Sequence, residues 1–279
     1  MSTKSNGQKD PLDKFYTKQE VVQRILSDIT PHIKNKLILE PSAGDGAFYK
    51  EMLKHGDCVA FDISPEHPNI IKQDYLSLSQ DMLSKHNPKS LPVCIIGNPP
   101  FGESSKLAFQ FLHHSMTLSN TVGFILPLSF KKVSHQNKII KANPYFHIVH
   151  EYTLPPNSFL FDGQTYDVGA VFQLYVKKPN TRKPHKTSTK SKYLAFTTPE
   201  LADFSVRRVG GSAGRASWDK SYSTSSNYFV KIKDPLDKQL AFQSFEKLVF
   251  PTISYTVGPK SLPKSELVVV FDEYWNDKL

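Results

Sequence analysis

Between residues 37 and 142 the chain alternates short apolar runs with stretches of helical spacing, and this alternation limits the fold more than any other feature. The runs at 37–39, 58–63, 70–73, 93–96 and 122–126 are short and predict strands. Segments 46–55, 76–86, 106–119 and 133–142 predict the helices between and after them. A strand that returns to its sheet through a helical crossover is parallel to its predecessor, and a parallel sheet needs both faces covered. The expected fold is therefore α/β, a doubly wound, mostly parallel sheet. Two further strand signals, 146–154 and 170–176, are joined by residues 155–169, which are rich in Pro, Asn and Gly and fit no helix, so the final pair is predicted antiparallel. Upstream, Val21, Val22, Ile25, Leu26 and Ile29 share one helical face over 19–29, with Thr17 as the expected N-cap, Glu20 three residues on and Pro31 as the limit.

With 279 residues, the chain has room for one large α/β domain and a smaller C-terminal module. Polar residues 1–11 read as a flexible arm, and 12–178 carry the alternation. Residues 179–192 form a basic linker or loop in which Lys183 and Lys186 are expected to meet phosphates, and 193–279 form the module. The module shows strand-like pieces at 193–197, 227–232 and 266–271 and a helical piece at 238–248. Its loop from Arg207 and Arg208 to Arg215, with three glycines, is the best place in it for phosphate or base contact. A net charge of +9 points to a polyanionic partner. No run is apolar enough for a bilayer span and no secretory leader is visible, so the expectation is an intracellular, non-secreted protein with no membrane partner. Metal-ligand spacing is absent, since His113 and His114 are adjacent, and Cys58 and Cys94 read as small core residues.

Four loops carry the chemistry. Glu40-Pro41-Ser42-Ala43-Gly44-Asp45-Gly46-Ala47-Phe48 follows one strand and opens a helix, with Gly44 and Gly46 allowing a tight turn and close backbone approach to a ligand. It is neither a dinucleotide fingerprint nor a phosphate-binding P-loop. Asp62, followed by Ile63, ends the next strand, where an acid can accept both hydroxyls of a ribose. Asp74, followed by Tyr75, ends the third and can accept from an adenine amine. Asn98-Pro99-Pro100-Phe101 ends the fourth. An aromatic amine is a poor nucleophile because its lone pair is delocalised. Two acceptors, the Asn98 side-chain carbonyl and the Pro99 backbone carbonyl, can bind its two hydrogens and favour a tetrahedral nitrogen. Phe101 can stack on the base, and paired prolines stiffen the loop. Such a site works by alignment and preorganised dipoles, without a strong base.

The Asn98–Phe101 tetrapeptide resembles the catalytic motif of amino methyltransferases that act on adenine N6. Residues 40–48 resemble their methyl-donor loop, and Phe15-Tyr16-Thr17 resembles their F-x-T motif; the order of motifs is that of the gamma type. The resemblance covers roughly residues 14–178 and implies a class I methyltransferase (Rossmann-like) fold and S-adenosyl-L-methionine as cofactor. It implies that Tyr16 and Thr17 touch the donor's methionine end and that Glu40, Ser42, Gly44, Gly46 and Phe48 frame it. Asp62 and Ile63 would hold its ribose and adenine, with Asp74 and Tyr75 beside that adenine. It also implies that Phe159 or Phe161 packs on the target base. The implied reaction is adenine N6 methylation in nucleic acid, DNA favoured and RNA (including cap-adjacent adenosine) possible, with a partner subunit or homo-oligomer possible. Only about a hundred residues follow the matched part, short for the recognition domain of gamma-type DNA enzymes. Protein-glutamine N5-methyltransferases present a related Asn-Pro-Pro-Tyr loop. Phe101, the basic charge and the Phe15–Thr17 motif count against them, and intact loops count against an inactive nucleic-acid-binding relative.

Overall fold

The computed structural model describes residues 15–185, 187–256 and 258–279. These divide into two compact units, one running to Pro184 apart from Lys131–Val133, the other comprising Lys131–Val133 and His185–Leu279. The expected arm at 1–11, the first residues of the catalytic segment and Lys186 lie outside the described residues.

In the first unit the chain runs β1 (Tyr16–Thr17), α1 (Gln19–Asp28), α2 (Thr30–Ile33), β2 (Leu37–Glu40), α3 (Ala47–Met52), β3 (Cys58–Asp62), β4 (Ile71–Lys72), α4 (Gln80–Lys85), β5 (Val93–Gly97), α5 (Lys106–Leu118), β6 (Thr121–Pro127), α6 (Val133–Ala142), β7 (Phe146–Thr153), β8 (Phe159–Phe161), β9 (Gln164–Tyr166) and β10 (Ala170–Lys177). A seven-stranded sheet is ordered β4-β3-β2-β5-β6-β10-β7. Pairings among β2, β3, β4, β5 and β6 are parallel, whereas β10 is antiparallel to both β6 and β7. The direction of winding reverses between β2 and its neighbours β3 and β5, which opens a crevice at the carboxyl ends of these strands.

Burial on both faces explains why the central strands are apolar without alternation. Leu37, Leu39, Ile95 and Phe124 pack on the side of α5, against Ala108, Phe109 and Leu112. Ile38, Cys94, Ile96 and Ile125 pack on the side of α1 and α3, against Val22, Ile25, Leu26, Phe48 and Met52. Gly123 in β6 permits this density: a Cβ there would lie 2.7 Å from Ile96 and 2.8 Å from Phe172. Cys58 and Cys94 are free and flank β2, each opposite Ile38. Two strand spacings, roughly 10 Å, exceed disulfide reach.

Several expectations are corrected. Thr17 does not cap α1; it is extended and pairs with Phe159, and Lys18 takes the cap position with no side-chain bond. The helix expected over 76–86 is two pieces, a 3-10 turn Tyr75–Ser77 capped by Asp74 and α4 capped by Ser79. Two capping side chains so close each start a helix of their own. The segment 155–169 is not wholly loop: β8 and β9 form a hairpin that adds to β1 as a separate three-stranded sheet.

In the second unit, β11 (Leu194–Phe196), β12 (Phe204–Arg207), β13 (Ala216–Ser217) and β14 (Asn227–Ile232) form an antiparallel sheet ordered β11-β14-β12-β13, followed by α7 (Lys238–Ser244) and α8 (Lys264–Asn276). The strand expected at 266–271 is the first half of α8. Its run of valines suggested a strand, but Leu267, Val268, Phe271 and Trp275 fall on one helical face and are buried against Phe204, Val206 and Val230. β12 and β13 gave no strand signal.

Candidate functional site

The crevice holds a pocket of about 400 Å³ built entirely from first-unit residues. That volume suits a small-molecule ligand. Its wall is made of the loops leaving β2, β3, β4 and β5, closed by Phe15, Tyr16 and Thr17. Fourteen of the positions singled out in the sequence line it: Tyr16, Thr17, Glu40, Ser42, Gly44, Phe48, Asp62, Ile63, Asp74, Tyr75 and the four residues Asn98–Phe101.

Local folding explains how the loops reach this point. Gly44 has φ +51°, and a Cβ there would approach the Tyr16 ring at 3.2 Å, so a side chain at this turn would be strained in backbone and crowded against Tyr16. Asp62 holds the turn from the other side: one carboxylate oxygen accepts from the Gly44 N–H at 2.8 Å and the other from the Ser64 N–H at 2.7 Å. Each oxygen keeps a further lone pair. Tyr16 donates its hydroxyl to Glu66 at 2.7 Å. Ile63, beside Asp62, is 58 % exposed, an apolar surface at the rim.

Three pocket-lining side chains have buried polar atoms without a hydrogen-bond partner: Thr17 Oγ1, Glu40 Oε2 and Asn98 Oδ1. Such atoms are costly unless a ligand completes them. Asn98 donates its Nδ2 to the Phe15 carbonyl at 3.0 Å. A carbonyl accepts from the NH₂ of an amide, so this contact turns Oδ1 the other way, unpartnered. The Ser42 hydroxyl donates to the Asn98 backbone carbonyl at 3.2 Å, tying the β5 loop to the β2 loop.

Burial, with the nearby Asp45 and Asp62 charges adding to it, pushes the Glu40 carboxyl well above the usual carboxylate range, against a lowering backbone hydrogen bond at Tyr49. Above the ordinary range the folded chain therefore binds more protons here than the unfolded chain, and stability falls as pH rises from about 4 toward the folded-state value. Glu40→Gln is expected to raise the melting temperature of the ligand-free protein at neutral pH, with the gain shrinking on acidification toward pH about 4. A gain independent of pH would show that Glu40 is not held in this way.

The remaining expected residues divide between further contacts at the pocket and positions outside it. Gly46 makes the left-handed turn (φ +82°) into α3 and faces His67 and Ile70. Asp74 spends one oxygen capping Leu76, and the Tyr75 hydroxyl bonds Ser115 in the core at 2.7 Å. Phe159 is fully buried in the core on the side of α1 and α3. Phe161 instead meets Phe15 at 5.7 Å and Tyr166 at 5.8 Å, and Tyr166 stacks on Phe15 at 5.1 Å. Lys183 is exposed and lines no part of the pocket, and Arg207 and Arg208 belong to the other unit. The Phe15 carbonyl and the Tyr166 ring were missed: a backbone acceptor has no sequence signal, and three-residue strands are too short for alternation to show. Among the described residues no group of three or more His, Cys, Asp or Glu side chains is placed to hold a metal, and no helix is long and apolar enough to cross a membrane.

The sheet order, with one reversed strand inserted next to the edge and a glycine turn after the central strand, is that of the class I methyltransferase fold. No family model and no curated protein matches the chain. Among solved structures, it is similar to the 23S rRNA methyltransferase ErmE (16% identity, TM-score 0.43, covering 62% of this chain and 73% of that one). It is also similar to a DrdV–DNA complex (17%, 0.43, 62% and 27%). A third is the magnesium protoporphyrin IX methyltransferase of Synechocystis PCC 6803 with bound SAM (13%, 0.41, 57% and 79%). Likeness of this degree assigns no activity to the chain.

Proposed function

We propose that this protein transfers a methyl group from S-adenosylmethionine to the N6 amine of adenine in a nucleic acid, with DNA favoured over RNA. The observation that carries the reading is the Asn98 side-chain carbonyl: buried, unpartnered and fixed in orientation by Phe15, in the same pocket as the glycine turn.

The pocket's own chemistry fits the donor. Glu40, a buried carboxyl with an unpartnered oxygen, would be favoured in its ionised form by a ligand that carries positive charge. The Asp62 oxygens keep lone pairs for a ribose, and the exposed Ile63 suits the flat face of a nucleobase. Tyr16 and Thr17 would close over the methionine end. Bound S-adenosylmethionine supplies an electrophilic methyl carbon next to a sulfonium.

The chain's residues then act on the acceptor. Asn98 Oδ1 and the Pro99 carbonyl would accept the two hydrogens of the adenine amine, drawing the nitrogen toward a tetrahedral shape with its lone pair free. The Phe15 contact holds Asn98 Oδ1 in its direction before the amine arrives, so that dipole would be preorganised. Phe101 would lie against the base, and Phe161 with Tyr166 offers a second aromatic wall near Phe15. A base inside a duplex must be extruded to reach this depth.

The test is incubation of the protein with radiolabelled donor and matched DNA and RNA oligomers, followed by nucleoside analysis. N6-methyladenine is expected, with more label in DNA. Label in RNA alone would change the substrate; label on cytosine, or in a glutamine-containing peptide only, would overturn the reading.

A further inference from the structure

We infer that the edge of the second unit carrying Arg208, Tyr228, Phe196 and Lys264 is a contact surface for the phosphate backbone of a single nucleic-acid strand, an inference that rests on the proposed function for its choice of polyanion.

Backbone hydrogen bonds assemble the surface. The Leu262 N–H donates to the Arg208 carbonyl at 2.7 Å and the Gly210 N–H to the Lys260 carbonyl at 2.8 Å, which clamps the turn after β12 to the segment leading into α8. Arg208 and Lys264 are thereby held on one edge, each against a ring. The Arg208 guanidinium lies 5.4 Å from the Tyr228 centroid and the Lys264 ammonium 4.0 Å from that of Phe196. The two rings meet edge to face at 5.4 Å, and Tyr228 is fixed by donating to the Leu262 carbonyl.

The neighbouring arginine shows what a structural guanidinium does here. Arg207 donates to the Val209 carbonyl and to the Ser226 hydroxyl, so its fork is occupied. Arg208 Nε is buried with no partner, and among the described residues no carboxylate pairs with this side chain. A half-buried guanidinium left without acceptors is poised for an oxyanion. Lys264 is the first residue of α8, where its charge adds to the positive end of the helix instead of opposing it. The acid in that first turn, Glu266, is engaged by the N–H and hydroxyl of Thr252. Two cations and a helix start therefore concentrate positive potential beside two half-exposed rings. That combination fits an anionic chain with bases to lay against rings, and suits a small anion less well.

The test uses the full chain and a fluorescein-labelled single-stranded oligodeoxynucleotide, with anisotropy measured over a range of salt. The double variant Arg208→Gln/Lys264→Gln is expected to bind roughly tenfold more weakly and to lose about two from the salt slope. Lys238→Gln/Lys247→Gln removes the same charge from exposed positions of the same unit and is expected to change both far less. Equal losses in the two variants, or none in the first, would overturn the surface. If the first variant does not fold, the wild-type protein decides the matter through protection of Arg208 from a dicarbonyl reagent by the oligomer: protection supports the surface, and an unprotected Arg208 overturns it. Oligomer binding that depends on Arg208 and Lys264 without methyl transfer would remove the enzymatic reading and leave this surface standing.

Discussion

Asn98→Ala is expected to lower methyl transfer by about 10²–10³-fold while donor affinity, measured by calorimetry, stays within about twofold of wild type. The reasoning starts from the buried, unpartnered Oδ1 and its fixed direction. In the proposed role, Asn98 Oδ1 holds the amine more strongly as its nitrogen changes shape, so its removal affects the transfer step more than ground-state binding. The alanine also leaves the Phe15 carbonyl without its amide donor, so the melting temperature of the variant is followed beside its turnover. A burst or single-turnover measurement separates the chemical step from product release. Turnover close to wild type would remove Asn98 from the reaction, and a parallel loss of donor binding would reduce it to a structural support of the pocket.

Asn98→Asp makes the second large prediction, because it keeps the shape and changes only the proton. An ionised carboxylate cannot donate to the Phe15 carbonyl, so the contact that sets the direction of Oδ1 becomes a repulsion between two acceptors. Transfer at alkaline pH is expected to fall by about 10²-fold. A protonated carboxyl restores the arrangement, with its O–H toward Phe15 and its C=O toward the pocket. Burial raises a carboxyl's pKa, so protonation begins within the range in which the protein can be assayed. The ratio of variant to wild-type transfer should therefore rise as pH falls. A ratio that does not change with pH would mean that Phe15 has no part in orienting residue 98. A simple loss of folding would not give that slope, and the melting temperature followed over the same range checks for it.

Much of the first unit is legible in the chain because its strands and helices follow different periods. β2, β5 and β6 are unbroken apolar runs buried on both faces, while α5 repeats its apolar positions every three or four residues, as Ala108, Phe109, Leu112 and Met116 show. The turns at the pocket are legible for a related reason: glycine and proline punctuate strand ends, so Gly44 and the Pro99–Pro100 pair mark turns there, and all three line the pocket. What escaped depends on long-range packing. The β1–β8 pairing joins residues about 140 positions apart, and nothing local in Tyr16-Thr17 announces it. Thr17 read as a helix cap because its side chain has capping chemistry, but the pairing with Phe159 claims its backbone first. α8 misled in the opposite direction: Val268, Val269 and Val270 prefer strands locally, and burial of Leu267, Phe271 and Trp275 on one face overrides that preference. The different burial of Phe159 and Phe161 was also beyond the sequence, since period-two alternation puts both on the same face of β8 and only long-range packing buries one more deeply than the other.

The organisation of the pocket ties stability to use. Glu40 Oε2, Thr17 Oγ1 and Asn98 Oδ1 are polar atoms withheld from water and from each other. Gly102, Ser104 and Ser105, just after the tetrapeptide, have φ of +69°, +51° and +63°, left-handed values that are unfavourable for the two serines. Sites that bind tightly are often costly when empty, and these features lie where the donor and the amine are proposed to meet.

The most direct measurement is a crystal structure of the protein with S-adenosylhomocysteine and an adenine-containing oligomer. The expected result is the amine of an extruded adenine about 3 Å from Asn98 Oδ1 and from the Pro99 carbonyl, with the homocysteine sulfur on the far side of that nitrogen and the glycine turn beneath it. An adenine bound elsewhere, or a base in the pocket whose amine points away from Asn98, would contradict the account.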